Sequence, residues 1–327
     1  MFKRILLLGA AAALILSGLI AGAAPLKRAD VIADPGFVLH IDFDGLRGTS
    51  VGKAILADLQ DPDIDSKLQA IQGIFSFDPR TQLHGATIYS TSRNPPEGAL
   101  IVYAEFDSNR VVALGNFAHG YETITNGSYI IHTWIDDKAK TNDEDGAHIF
   151  ASIKDNRIIL SKSEFSLVTA LDVLSGKAPN LGSTKDLPEL GNAGKGNVVQ
   201  AIVHKFEFDD KGPNAAIFKM SKIVHFELGE TDDKMAAALS FEAKDADTAT
   251  QISAIAQGLI ALLKLQQDNA DLLKIANAVS IHQDGAVVTA NASMAVKDMN
   301  AMIKHHVEAA EKEDAGDTNK PEKSTEK

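Results

Sequence analysis

The two halves of the chain carry the same order of predicted elements, and this repeat restricts how the chain can build a core. The second half is predicted to form a strand, a helix, a hairpin and a closing helix, at Met235–Ala243, from Asp245, at Val279–Ala292 and at Met294–His305. The first half repeats this order, at Gly98–Phe106, from Asp107, at Ile149–Leu160 and at Ser163–Ser175. The sequence therefore predicts two units built on one plan.

Hairpins join most of the predicted strands, which favours antiparallel pairing. We therefore predict an α+β fold of two strand–helix–hairpin–helix units, with mainly antiparallel sheet and helices packed on one face. A segment rich in Pro and Gly separates the units, and the sequence leaves open whether they share one sheet. The predicted divisions are a signal peptide at 1–23, a short lead at 24–36, a first unit at 37–176, a linker at 177–196, a second unit at 197–310 and a disordered charged tail at 311–327.

The N-terminal residues carry the three parts of a bacterial export signal. Lys3 and Arg4 precede an apolar stretch, Ile5–Ile20, which is followed by the small residues Ala21-Gly22-Ala23. We expect cleavage near Ala23 and a periplasmic or secreted mature protein with no stable membrane span. The chain has no cysteine, which excludes a lipidated cysteine, disulfides and thiolate metal sites.

The formal charge of the chain is −12, and loss of the two cationic residues of the signal peptide makes it −14. This acidity argues against nucleic acid, whose phosphates are bound by Lys and Arg. It also argues against electrostatic docking on anionic lipid. The remaining partners are an envelope protein or a small ligand.

Alternating residues after the N-terminal lead predict a strand with one buried face. Its apolar members are expected to face the core, and they are Phe37, Leu39, Ile41 and Phe43. His40, Asp42 and Asp44 share the other face, and one imidazole with two carboxylates suits Zn, Mn or Ca. The competing interpretation is a solvated strand face without a metal.

In the helix predicted from Asp245 to Leu265, the part Ile252–Leu265 is rich in Leu, Ile and Ala and has few polar residues. Against a curved sheet, such a helix can line a cavity for an apolar molecule. The residues that would contact this ligand are Ile252, Ile255, Leu259, Leu262 and Leu263. The alternative is that the helix is simply buried in the core.

Several steps along the chain resemble a broad group of uncharacterised bacterial exported proteins with duplicated α+β units. The residues that carry this resemblance are Asp44–Thr49 after the opening strand, Phe106-Asp107, and Ile158–Ser163 leading into Ala170–Leu174. The resemblance implies a duplicated α+β fold and export from the cytoplasm. It assigns no catalytic residue.

We favour a non-enzymatic envelope protein with a binding or scaffolding role, because no catalytic motif keeps its required spacing. No Gly-x-Ser-x-Gly is present, and no cofactor is implied. This hypothesis predicts a binding surface shared by the two halves. The first alternative is a carrier of a small hydrophobic or lipid ligand in a cavity between sheet and helix. The second is a metal-dependent hydrolase that uses His40, Asp42 and Asp44.

Overall fold

A computed structural model describes residues 25–91, 97–137, 147–184, 187, 196–204, 213–266 and 269–305. The predicted signal peptide at 1–23 and the predicted tail at 311–327 lie outside these ranges. The described chain has an α+β fold based on one antiparallel sheet of twelve strands. Both predicted units contribute strands to this single sheet.

The strands are numbered in chain order. They are β1 Phe37–Asp42, β2 Leu83–Ser90, β3 Gly98–Ala104, β4 Glu122–Asn126, β5 Tyr129–Asp136, β6 Ala147–Lys154, β7 Arg157–Ser161, β8 Asn197–His204, β9 Ser221–Thr231, β10 Lys234–Ala243, β11 Val279–Asp284 and β12 Val287–Ala295. Across the sheet their order is β11-β12-β10-β9-β8-β1-β2-β3-β7-β6-β5-β4.

The helices connect these strands. They are α1 Phe43–Gly48, α2 Ser50–Asp58, α3 Pro62–Phe75, α4 Pro79–Gln82, α5 Ser108–Gly115, α6 Glu164–Leu174, α7 Pro213–Met220, α8 Ala246–Leu265, α9 Ala270–Ala278 and α10 at 296–305. Two short 3₁₀ turns cover Arg28–Asp30 and Leu181–Ser183.

Local sequence signals explain where several helices begin. Thr49 accepts a hydrogen bond from the backbone of Gly52 and caps α2, as predicted. Asp107 and Asp245 cap α5 and α8 in the same way. Short polar side chains at these positions satisfy backbone N–H groups that the first helical turn leaves unpaired.

The β1–β8 pair joins two arms of the sheet, which we name the first arm (β1–β7) and the second arm (β8–β12). Outward from this pair, the first arm runs β1-β2-β3-β7-β6 and the second runs β8-β9-β10-β12-β11. The β4–β5 hairpin extends the first arm by two strands. The two arms therefore share one order of strands. The predicted duplication of the units stays a prediction.

Helices, which were expected on one face, lie against both faces of the sheet. Neighbouring residues of β9 show this, because Ile223 belongs to one buried apolar cluster and Val224 to another. Successive side chains of a strand point to opposite faces. We name the face of Ile223 face A, where α6 contributes Leu167, and the face of Val224 face B, where α8 contributes Ile252.

The predicted burial of the first strand is reversed in the structure. Val38, His40 and Asp42 are the buried residues of β1 and lie on face A, whereas Phe37, Leu39 and Ile41 are half-buried on face B. Phe43, predicted on the strand, begins α1. The reversal follows from neighbouring elements, since the first arm receives its helical cover on face A.

Segments predicted to flank the units contribute to the core. Leu26 and Val31 of the lead, together with Leu181 of the linker, are buried in the face A cluster. A strand predicted at Ala216–Leu228 is wrong in its first part, where α7 precedes β9. A short apolar run does not distinguish a buried helix from a buried strand by its period, and Ile217 packs into the face B cluster from a helix.

Candidate functional site

A cavity of about 250 Å³ with both polar and apolar lining residues lies where the two arms meet. His40 on β1 stands directly opposite Gln200 on β8, so each arm supplies one wall. The lining residues are Pro25, Leu26, His40, Asp42, Gly45, Gly48, Thr49, Gly196, Asn197, Val198, Gln200 and Glu230. We name this the seam cavity.

The polar groups of β1 at the seam cavity are held by neighbouring backbone and side chains. The Nδ1 atom of His40 lies 2.9 Å from the hydroxyl of Thr87 on β2. Asp42 Oδ1 accepts a 2.7 Å hydrogen bond from the backbone of Gly45 and thereby caps α1. A Cβ atom at Gly45 would lie 2.7 Å from the carboxylate of Asp42. A side chain at position 45 would therefore displace the Asp42 carboxylate from its present position.

The second arm places two buried polar atoms at the seam cavity without a described hydrogen-bond partner. They are Oε1 of Gln200, a residue only 5% exposed, and Nδ2 of Asn197. A buried polar atom that stays unpaired costs about 1–3 kcal/mol. Neither atom is accessible to solvent, so the two residues line the cavity with other parts of their side chains or backbone.

Glu230 of β9 completes the cavity wall and fixes the position of α2. Its two carboxylate oxygens accept 2.8 Å hydrogen bonds from the backbone N–H of Ser50, and one oxygen accepts a 3.2 Å bond from Val51. Burial acts to raise the pKa of Glu230, but these backbone donors outweigh it and hold the pKa below its usual value. Glu230 is therefore an anion bound at a helix N-terminus.

The seam cavity continues into an open groove across face A of the second arm. The two share Gly196, Asn197 and Glu230. The groove has a volume of about 740 Å³, and Ala236, Ala238, Asn291 and Ser293 of β10 and β12 are among its lining residues. These short side chains leave room for an extended molecule.

The structure separates the three residues predicted to bind a metal. His40 and Asp42 line the seam cavity, whereas Asp44 forms an ion pair with Arg47 and lies 3.0 Å from Nδ1 of His84. Within the described ranges, no three His, Asp or Glu side chains are placed to share one ion. The metal site stays a prediction.

The apolar residues predicted to bind a ligand follow α8 from core to surface. Ile252 is fully buried, and Ile255 and Leu259 pack against its cluster. Leu262 is 60% exposed, and Leu263 is half-buried. None of these residues lines the seam cavity or the groove. Their role as a ligand site stays a prediction.

Of the described helices, α8 alone has the length and hydropathy of a membrane span. Only 22% of its most apolar 18-residue window is buried. A core helix of a soluble protein passes the same test, so this property assigns no membrane role by itself. The low burial of this window does show that the C-terminal half of α8 presents an apolar surface.

A second apolar surface lies on face B of the first arm. One row of directly paired residues crosses it, through Leu39, Ile88, Leu100 and Leu160 of β1, β2, β3 and β7. The next row runs through Ile41, Ala86, Val102 and Ile158. All eight residues are half-buried except Ile88, which is 41% exposed, and none belongs to the three described apolar clusters. We name these eight residues the open face.

Sequence reasoning identified His40 and Asp42 and missed the residues of the second arm. Gln200 carries a signal in retrospect, since it is the one polar residue within the run Val198–Val203. A polar residue at the core-facing position of a central strand needs a partner. Asn197 and Glu230 lie at strand ends, where polar residues are common, and the sequence does not distinguish them.

No family model and no curated protein matches the sequence. Solved structures of TP0453 in crystal forms I, III and IV are similar over 86–88% of this chain and 97–99% of their own length. Sequence identity to them is 9–11%, and the TM-scores are 0.43–0.44. Likeness at this level supports no statement about function. The predicted resemblance to exported proteins therefore stays a prediction.

Proposed function

We propose that the protein is a non-enzymatic binding protein of the bacterial envelope that holds an acyl chain on the open face. The carrying observation is the absence of a described cover over this apolar surface. A contiguous apolar surface that is partly exposed, with Ile88 at its centre 41% exposed, is a common mark of an interaction site. A single hydrocarbon chain is a linear apolar ligand that can lie along one row of side chains.

Helices cover face B in the second arm but not over the open face of the first arm, and this difference supports a binding role. In the second arm, face B is covered by α7 and α8, which bury Val224 and Phe241. The row through Leu39 continues into that arm as Ala201, Phe226 and Leu239, and Leu239 packs against the covered cluster. The open face is thus the uncovered continuation of a core surface.

The negative charge of the chain favours a bound ligand, and not an anionic membrane surface, as the occupant of the open face. The mature chain is expected to carry a formal charge of −14, which repels anionic headgroups. An acyl chain bound alone has no such requirement, because its burial is driven by removal of apolar area from water, at about 25 cal/mol per Å². The expected export route would place the protein among envelope lipids.

A matched pair of substitutions tests this function. Ile88→Glu places a carboxylate in the centre of the open face, and Ile275→Glu makes the same change on α9 at nearly equal exposure, 41% against 37%. We expect Ile88→Glu to weaken binding of a fluorescent fatty acid at least about tenfold, because a charge buried against hydrocarbon is costly. Ile275→Glu should bind as the wild type does.

The measurement is a fluorescence titration of the mature chain with the fatty acid, with native mass spectrometry of the gently purified protein beside it. An adduct of lipid mass on the wild type that is lost in Ile88→Glu would support the proposal. Equal binding by the two variants, or no binding by the wild type, would refute it.

A further inference from the structure

The strand β11 forms one edge of the sheet, and half of its backbone hydrogen-bonding groups face outward. It pairs on one side only, with β12. The β11–β12 hairpin has a two-residue turn after Asp284, so Asp284 and Val287 form a hydrogen-bonded pair. Bonded and non-bonded pairs alternate along an antiparallel strand. The N–H and C=O groups of Val279, Ile281 and Gln283 therefore point away from β12.

The described part of the chain leaves this outer edge without the features that usually protect a sheet edge. β11 contains no Lys, Arg or Pro, and its pairing with β12 has no register shift. No described backbone hydrogen bond links β11 to an element other than β12. Ser280, His282 and Asp284 are exposed, whereas Ile281 packs against the face B cluster that contains Ile252. β11 is therefore held in an extended form, ready to pair.

The opposite edge of the sheet, at β4, offers less. β4 has five residues, and its hairpin with β5 also turns through two residues, after Asn126. By the same alternation, Thr123 and Thr125 are the residues of β4 that face outward. β4 also carries the charged residue Glu122. The longer edge at β11 is therefore the better template for another strand.

A two-fold axis through Ile281, perpendicular to the sheet, would match the edge of β11 to the same edge of a second copy. Ile281 then stands opposite Ile281 of the other copy, and Val279 stands opposite Gln283 in both directions. Each of these three pairs exchanges two N–H···O=C bonds, which gives about six hydrogen bonds. On face A, Ser280 of each copy faces His282 of the other. Every outward donor of β11 thus meets an acceptor.

The charge of the chain does not oppose this pairing. Asp284 is the acidic residue of β11, and in this register the two copies of Asp284 lie about 20 Å apart along the strands. That distance exceeds the screening length of about 8 Å at physiological ionic strength. A second copy also brings an ordered strand, whereas a disordered peptide loses about 1–2 kcal/mol of backbone entropy for each residue that it fixes.

We propose that the protein self-associates through β11 into a symmetric dimer whose two sheets form one continuous sheet. Pairing of two six-residue strands is a small interface. The dimer is therefore weak, and its population rises with concentration in the micromolar to millimolar range. β11 lies at the outer edge of the second arm, so the dimer is independent of the acyl chain on the open face of the first arm.

The first test places charges at Ser280 and His282, which are both exposed. One variant carries Ser280→Lys with His282→Lys, and the other carries Ser280→Asp with His282→Asp. In the proposed register, each variant alone sets like charges directly opposite one another at two places, which destabilises strand pairing. A mixture of the two variants sets opposite charges there instead.

The measurement is sedimentation velocity of the mature chain over a range of concentrations in about 0.15 M salt. We expect the wild type to dimerise, each variant alone to dimerise at least about tenfold more weakly, and an equimolar mixture to recover a dimer. The lysine variant lowers the overall negative charge, so its loss of association is not a general charge effect. A monomeric wild type, or equal association of all samples, would overturn the proposal. Growth beyond a dimer would also overturn it, because it would indicate pairing of β11 with β4.

A disulfide tests the register, since the natural chain has no cysteine. Ser280→Cys and His282→Cys are made as separate variants and then mixed and oxidised. In the proposed dimer these two positions form a non-hydrogen-bonded pair with Cα atoms about 4.5 Å apart, which a disulfide can bridge. Identical positions of the two copies are about 8 Å apart, beyond that reach. We expect a covalent dimer in the mixture, and much less in either variant alone. Equal cross-linking of all three samples, or none in the mixture, would contradict the register.

Discussion

One buried carboxylate attaches the N-terminal segment to the sheet. Both oxygens of Asp30 accept 2.9 Å hydrogen bonds from Arg157 of β7, and one oxygen accepts from the hydroxyl of Tyr103. Burial and the nearby Asp30 raise the pKa of Tyr103, so this phenol stays a donor at neutral pH. The group is therefore a buried charge pair with a neutral donor attached.

Removing the charge of Asp30 should destabilise the protein far more than removing the charge of Asp155, the other carboxylate that pairs with Arg157. Asp30→Asn leaves the largely buried guanidinium of Arg157 with only the exposed Asp155 as a counter-ion, at a cost of about 3 kcal/mol. Asp155→Asn removes a 65% exposed partner of Arg157 and should cost less than about 1 kcal/mol. Asparagine also tolerates the positive φ of residue 155. Urea unfolding measures both, and equal losses would contradict the assignment.

At the residue scale, the sequence pattern predicted that His40 and Asp42 belong to a polar site. It did not predict that these two residues are buried. His40 and Asp42 were recognised as a constellation, yet their face was expected to be solvated. They are each 3% exposed, because β1 lies between β2 and β8 and the N-terminal segment covers face A. Burial of a central strand depends on which segments cover it, and alternation within the strand does not contain that information.

The N-terminus of α2 depends on a residue of the second arm. Glu230 accepts from the backbone of Ser50 and Val51, so its charge complements the helix dipole across the seam. Glu230→Gln should lower the free energy of unfolding at pH 7 by about 1 kcal/mol. Glu227→Gln removes the same charge from the same strand without a helix N-terminus beside it, and should change stability less.

The pH dependence gives an independent check on Glu230. Because the folded state lowers its pKa from 4.5, the carboxylate stabilises the fold above that pH. The contribution is lost as the pH falls through the lower folded value. The stability difference between wild type and Glu230→Gln should therefore disappear in acid, which chemical denaturation at a series of pH values measures. A difference that persists at low pH would contradict this role.

At the element scale, capping residues and turn residues predicted boundaries well. The strand predicted at Met235–Ala243 is β10, which begins one residue earlier at Lys234. The hairpin predicted at Ile149–Leu160 turns at Asp155 and Asn156, which both have positive φ. The failure at α7 has a different cause. Its apolar residues pack beneath α8, and this tertiary contact decides between helix and strand where the local pattern is ambiguous.

At the scale of the whole molecule, the sequence indicated two units but not their joining. The β1–β8 pair produces one sheet, and the face A cluster crosses it because Val38 of β1 stands directly opposite Ile202 of β8. Strand pairing between distant segments depends on matching surfaces that neither segment shows alone. Residues of both arms form the wall of the seam cavity, and a binding surface shared by the two halves stays a prediction.

The shared core predicts that the arms unfold together. Ile202 and Ile252 are 1% and 0% exposed, in the face A and face B clusters respectively. Each change to alanine should cost about 2–5 kcal/mol. If the seam couples the arms, both variants lower the midpoint of one calorimetric transition whose calorimetric and van't Hoff enthalpies agree. If the arms were independent, Ile252→Ala would shift one of two transitions and leave the other in place, because its cluster lies in the second arm alone.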